Sequence, residues 1–155
     1  MKAVITGTFD PITLGHLDII KRAANMFESV TVLICDNGEK HNMFSSEQRK
    51  IMAELSCKDL INVNTDICCG LLADYTEKNG ISVIVRGIRD ASDTPYEMML
   101  ATINRSLCNN PDTVFIPSKP EHSHISSSYV REMIKFSQPL DNILPKQVIS
   151  YIKSM

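Results

Sequence analysis

Three groups of residues in this sequence have the types and spacing to handle phosphate. The first is GTFDPITLGH at 7 to 16, which follows a short apolar run and leads into a helical pattern. Gly7 permits a tight turn, and Thr8 offers a hydroxyl and a backbone amide. Gly15 and His16 fall in the first turn of the helix, where unpaired N–H groups and the helix dipole favour an anion. Taken alone, His16 reads as an exposed helix residue, but beside Gly15 and Thr8 it reads as a phosphate contact. The second group is Arg86 and Arg89, flanking Gly87 on the loop expected after the fourth strand. Two guanidiniums there can grip phosphate oxygens in fork geometry, which lysine does less well. The third is Ser126, Ser127 and Ser128, which open a helix either as simple N-cap residues or as a hydroxyl-rich anion site.

Two further residues are balanced between roles. Lys40, in the loop after the second strand, is either a mobile cation over the cleft or a solvated lysine. Glu97 lies three residues after Thr94, and Thr94-Pro95-Tyr96-Glu97 reads as a capping box. Neither GxxxxGK[ST] nor GxGxxG is present. No Ser/His/Asp or Cys/His arrangement is evident, so the chemistry on offer is positioning and charge stabilisation without a covalent intermediate.

Those residues need a frame to bring them together. Residues 2 to 6, 30 to 35, parts of 61 to 67, 81 to 85 and 113 to 116 are short β-branched runs bounded by turn residues. Helical patterns separate them. Leu17, Ile20, Ala24 and Phe27 keep helical spacing behind Thr13 as cap, and Ser45 with Gln48 forms a capping box before Ile51, Met52 and Leu55. Residues 71 to 79 form a third helix stopped by Gly80, residues 95 to 107 a fourth, and 126 to 136 and 146 to 153 the last two. Leu72 lies on the apolar face of the third helix and reads as core. Met98, Met99, Leu100 and Ile103 read as core or subunit interface.

Strands alternating with helices predict a doubly wound α/β domain with a five-stranded parallel sheet in the order 3-2-1-4-5. The winding reverses between the first and fourth strands, so the loops 6 to 12 and 86 to 90 open onto one crevice. With no repeat or linker, residues 1 to 155 form a single domain, long enough to bury about 70% of the surface exposed when unfolded.

Composition excludes several partners. Sixteen basic and 18 acidic side chains give a formal charge of -2, which offers no electrostatic footprint for nucleic acid or an anionic membrane. There is no membrane-length apolar run and no signal-peptide core, so a cytosolic protein is expected. Five cysteines without a CxxC pair, and four histidines without HExxH, suggest reduced and mostly buried thiols and no protein metal site. No apolar stripe or charged tail calls for a macromolecular partner.

The tetrapeptide Thr13-Leu14-Gly15-His16 resembles the T/HxGH motif of a nucleotidyltransferase superfamily. With GLLADY at 70 to 75, RGIRDASDTPYE at 86 to 97 and HISSSYVRE at 124 to 132, the sequence resembles the phosphopantetheine adenylyltransferases over nearly its whole length. The resemblance implies a Rossmann-like nucleotidyltransferase fold, and transfer of the adenylyl group of ATP to 4'-phosphopantetheine. It implies His16 and Thr8 as catalytic residues. ATP contacts are implied at Thr8, Phe9, His16, Gly87, Ile88, Arg89 and Glu97, and at His122, Ser123, His124, Ile125, Ser126, Ser127 and Ser128. Phosphopantetheine contacts are implied at Thr8, Lys40, Leu72 and Arg86. Mg2+ is expected to arrive with the triphosphate, held by phosphate oxygens and water. A homohexamer and feedback binding of coenzyme A are further implications. His122 stands where an aromatic residue is usual in that family, and Asn37-Gly38 and His41-Asn42 depart from its pattern around Lys40. Other adenylyl- or cytidylyltransferases, such as those acting on nicotinate mononucleotide, share the first motif, and a non-catalytic ATP-binding module of similar fold is the reading from another class.

Overall fold

The computed structural model describes residues 1–36, 42–107 and 111–155. Five strands, β1 (Lys2–Gly7), β2 (Ser29–Cys35), β3 (Val63–Cys68), β4 (Val83–Ile88) and β5 (Asp112–Pro117), form one sheet in the order β3-β2-β1-β4-β5. Every pairing is parallel, with Ile5 opposite both Val32 and Val85. The helices are α1 (Leu14–Met26), α2 (Ser46–Cys57), α3 (Leu72–Asn79), α4 (Asp93–Leu107), α5 (Ser127–Lys135) and α6 (Lys146–Lys153), with a short 3-10 turn at Pro120–His122. The doubly wound reading is therefore the observed fold.

Strand alternation sorts the core into two faces. Ala3, Ile5, Val30, Val32, Ile34, Val83 and Val85 point to one side, where they meet Leu17, Ile20 and Ala23 of α1, Met52 and Ala53 of α2, Val130 of α5, and Val148 and Ile149 of α6. Val4, Leu33 and Ile84 point to the other and form a smaller cluster with Ile81, against which Leu72 and Tyr75 of α3 pack. Two capping boxes start helices, the one at Ser45 as expected and the one at Thr13 going beyond the simple cap expected there. Thr13 accepts from the His16 amide while His16 Nδ1 accepts from the Thr13 amide, and Ser45 and Gln48 do the same for α2. Gly80 ends α3 at φ 62°, a left-handed conformation that glycine adopts without steric penalty.

The fourth helix departs from expectation. It begins at Asp93, so Thr94 and Pro95 are already helical, and Glu97 reaches Arg86 rather than the backbone of a cap. Its apolar residues are not core: Met98 is 52% and Met99 50% exposed, and Ile103 and Leu107 are exposed beside them. An apolar stripe that composition alone did not reveal thus lies on the surface of α4. The cysteines also differ from expectation, since among the described residues only Cys57 is buried; Cys35 and Cys68 are half-buried and Cys69 is exposed. Cys108 and Lys40 lie outside the described residues. Among the described residues no helix is long and apolar enough to cross a membrane.

Candidate active site

A cleft of about 600 Å³ opens at the C-terminal edge of the sheet where β1 and β4 are neighbours. Its floor is the loop after β1, one wall is β4 with the start of α4, and the other is the N-terminal turn of α5.

His16 faces this cleft from the first turn of α1. A backbone N–H can only donate, so the 3.1 Å bond from the Thr13 amide requires His16 Nδ1 to be an acceptor. The ring proton then sits on Nε2, which becomes a fixed hydrogen-bond donor. Burial, followed by the charges of Arg89 and Arg86, lowers the His16 pKa from 6.5 to about 4. The imidazole is therefore neutral through the physiological range. Phe9 meets it edge-on at 5.1 Å between ring centroids and lies over Gly7, where a Cβ would come within 3.0 Å of the Phe9 ring. Glycine is needed at position 7 for that close approach.

The same pKa gives a pH prediction. Between pH 6.5 and 4 the unfolded chain binds a proton at His16 that the folded chain does not, so stability present above 6.5 is lost as pH falls. The loss approaches about 1.4 kcal/mol per unit, up to about 3 kcal/mol in all. Asp18, Asp36 and Asp93, whose carboxyls are held below their ordinary value by hydrogen bonds and neighbouring cations, act in the same direction only near and below pH 4. Urea midpoints measured from pH 7 to 4.5 should fall more steeply in the wild type than in His16→Gln. Parallel curves would show that His16 titrates normally.

The arginines occupy places the sequence reading did not foresee in detail. Gly87 and Ile88 still pair with Ile116 and Pro117, so β4 runs through Arg86 and that residue lies within the strand, not in the loop after it. Its Nη1 donates to Thr6 O at 2.8 Å and Thr6 Oγ1 at 2.7 Å, while Nε and Nη2 clasp the two Glu97 oxygens at 2.6 and 2.8 Å. Arg89 holds Asp93 through its amide, Nε and Nη2 at 3.0, 3.1 and 3.1 Å. Each guanidinium thus stands on a carboxylate from the first two turns of α4. Both cations line the cleft beside His16.

The opposite wall carries the serines. Ser126 Oγ caps α5 by accepting from the Tyr129 amide, Ser127 Oγ donates to Pro11 O at 3.0 Å, and Ser128 Oγ accepts from Arg131 Nη2 at 3.0 Å. All three line the cleft, as do His122, Ile125, Thr8 and Phe9. Among the described residues His122 Nδ1, buried in this wall, has no partner. Ser123, His124 and Ile88 do not line it, and Leu72 packs on the far face of the sheet against the small cluster. Three residues that sequence reasoning passed over belong here. Arg131 donates to Asp10 O at 2.8 Å and lines the cleft, as does Asn42. Asp10, only 1% exposed, accepts from the Met43 and Phe44 amides at 2.8 and 2.9 Å. The i, i+3 spacing of Ser128 and Arg131 on one helix was the available signal for Arg131; Asp10 gave none. Among the described residues no group of three His, Cys, Asp or Glu side chains converges on a metal position.

A neutral N–H donor, fixed cations and a helix N-terminus in one crevice suit a substrate with several phosphates and a reaction that builds negative charge. Comparison with known proteins agrees with that chemistry. Residues 4–133 match the cytidylyltransferase-like family. A phosphopantetheine adenylyltransferase from Symbiobacterium thermophilum is 42% identical over 94% of this chain and 90% of its own. Those of a Synechococcus strain and of Thermotoga neapolitana are each 43% identical, over 96% and 88% of this chain and 94% and 84% of their own. A solved structure described as a nicotinate-nucleotide adenylyltransferase, from Vibrio parahaemolyticus, superposes with a TM-score of 0.74 over 99% of this chain and 91% of that one at 17% identity, a likeness of fold.

Proposed function

The chain belongs to the phosphopantetheine adenylyltransferases, within the cytidylyltransferase-like family, and from this we propose that its cleft joins the adenylyl group of ATP to 4'-phosphopantetheine, giving dephospho-coenzyme A and pyrophosphate. The acceptor phosphate attacks the α-phosphorus in line; the new O–P bond forms as the bond to the β-phosphate oxygen breaks. A phosphate monoester with a second pKa of about 6 is already a dianion above that pH, so no protein base is needed. The observation that carries the reading is the neutral His16, its Nε2–H fixed by the Thr13 amide and set among Arg86, Arg89 and the α5 N-terminus.

In this reading the His16 Nε2–H and Thr8 stabilise charge developing on the α-phosphate, while Arg89 and the Ser126 to Ser128 turn hold the remaining phosphates. Arg86 and Lys40 meet the acceptor phosphate. His122 lines this wall and meets the nucleotide in place of an aromatic stack. Glu97 reaches the nucleotide only past its own ion pair. Magnesium travels with the triphosphate on phosphate oxygens and water. Coenzyme A, which contains both joined substrates, competes for the same cleft. The exposed Met98, Met99, Ile103 and Leu107 supply an apolar face for assembly, as a homohexamer would need, and the enzyme works in the cytosol.

The test is pyrophosphate release with ATP and magnesium, offering 4'-phosphopantetheine, nicotinate mononucleotide and glycerol 3-phosphate separately and identifying the product by mass. Release with 4'-phosphopantetheine alone is expected. Preference for another acceptor would keep the chemistry and overturn the substrate, and ATP binding without release would overturn both.

A further inference from the structure

Arg49 of α2 is 1% exposed, and its guanidinium joins three separate segments. Nε donates to Phe44 O at 3.1 Å and Ser45 O at 3.3 Å, and Nη2 donates to Ser46 Oγ at 3.0 Å and to the Asp36 carboxylate at the end of β2. Nη1 donates to Thr8 O at 2.8 Å, in the loop that floors the cleft. A second tie runs the other way, because Asp10 of that loop accepts from the Met43 and Phe44 amides. The floor is therefore fastened from behind at two points, Thr8 O and Asp10.

The first of these ties has a directional consequence. The C=O and N–H of a trans peptide point in opposite directions. With Thr8 O drawn back to the buried Arg49, the N–H of the same peptide, that of Phe9, faces away from Arg49. Thr8 and Phe9 both line the cleft and Arg49 does not. Among the described residues the Phe9 N–H has no acceptor. Phe9 itself sits at φ 48°, a region a bulky residue occupies only when its surroundings over-determine it. A charged side chain is also a costly way to secure a loop by burial alone, since an apolar residue of similar volume often serves stability as well.

We propose that Arg49 is a positioning residue for the adenylyl transfer: by holding the Thr8 carbonyl it aims the Phe9 N–H at an oxygen of the phosphate undergoing reaction. The inference rests on the adenylyl-transfer reading above. Only a planar guanidinium reaches the Thr8 carbonyl, the α2 entry and Asp36 together; a lysine ammonium keeps the charge and loses the simultaneous geometry.

Arg49→Lys and wild type are compared for kcat, for KM of ATP and of 4'-phosphopantetheine, and for urea midpoint. In the variant kcat should fall about a hundredfold per folded molecule, the loss typical of one misplaced or missing transition-state donor, while KM for ATP moves less than about threefold. A lowered urea midpoint with kcat within about threefold of wild type would overturn the proposal, leaving Arg49 a structural residue. Should Arg49→Lys not fold, replacing Phe9 by its α-hydroxy acid analogue removes the N–H while keeping the side chain. A kcat loss of about tenfold or more supports the proposal, and full kcat overturns it. Wild-type turnover to dephospho-coenzyme A in the same assay separates the two levels: its absence defeats the underlying reading along with this one.

Discussion

Replacing His16 with glutamine should lower kcat at least a hundredfold while leaving the protein about as stable as wild type at pH 8. The residue does two jobs with its two nitrogens. Nδ1 completes the capping box by accepting from the Thr13 amide, and Nε2–H is the donor that faces the cleft. Glutamine is one of the two residues ordinarily found at this position of a capping box, so it retains the first job. It cannot place a donor where the imidazole Nε2 lies. Alanine loses both, and His16→Ala should show the same fall in kcat together with about 1 kcal/mol of lost stability. KM for ATP should move little in either variant, because a donor acting on developing charge contributes to the transition state more than to ground-state binding. A glutamine variant that turns over normally would reduce His16 to a cap, and one that loses rate and ATP affinity together would make it a binding residue.

The two nitrogens also illustrate what could be read without coordinates. The cap at Thr13 and the capping box at Ser45 are local, their partners three residues apart, and both formed as the sequence suggested, with His16 completing a box at Thr13 that the sequence reading had not named. Strand alternation was equally legible: Val4 and Leu33 fall on the face opposite Ile5, Val32 and Ile34. Parallel strands with right-handed crossovers leave few topologies, and from the strand order followed the meeting of the β1 loop with Arg86 and Arg89.

What remained hidden depends on partners distant in the chain. Thr94 to Glu97 has the pattern of a capping box, yet Glu97 lies close enough to Arg86 for two short charge-assisted bonds, and these outcompete a local backbone contact. The helix then starts earlier, at Asp93, whose carboxylate is held by Arg89. Arg49 sits on the buried side of an amphipathic helix, where a charge looks misplaced; its justification is carbonyls at Thr8, Phe44 and Ser45 that no periodicity reveals. Leu72 shows the opposite case, since its spacing correctly suggested core and it packs away from the cleft. For the methionines of α4 the spacing left core and subunit interface both open, because hydrophobic spacing reports a face without saying what covers it; in the single chain they are exposed.

Arg86 and Glu97 should prove to be one functional unit, and the acceptor, not ATP, should feel its loss. Both Glu97 oxygens accept from Arg86, whose remaining bonds go to Thr6, and the two side chains are only 22% and 11% exposed. Arg86→Met would leave the Glu97 carboxylate nearly buried and unpaired, which is expected to cost about 3 kcal/mol in urea denaturation, at the low end for a broken buried pair because some solvent reaches this one. It also removes the cation assigned to the acceptor, so kcat/KM for 4'-phosphopantetheine should fall at least a hundredfold. Glu97→Gln keeps volume but sets an amide N–H against a guanidinium N–H, loosening Arg86 while its Thr6 bonds persist. About tenfold should then be lost, again mainly through KM for the acceptor. Removing the second charge from Arg86→Met, as Arg86→Met with Glu97→Met, should recover stability toward wild type without recovering activity, a coupling that independent residues would not show. If Glu97→Gln instead raises KM for ATP and spares that for 4'-phosphopantetheine, Glu97 binds the nucleotide directly, a role its free lone pairs permit, and Arg86 is oriented well enough by Thr6 alone.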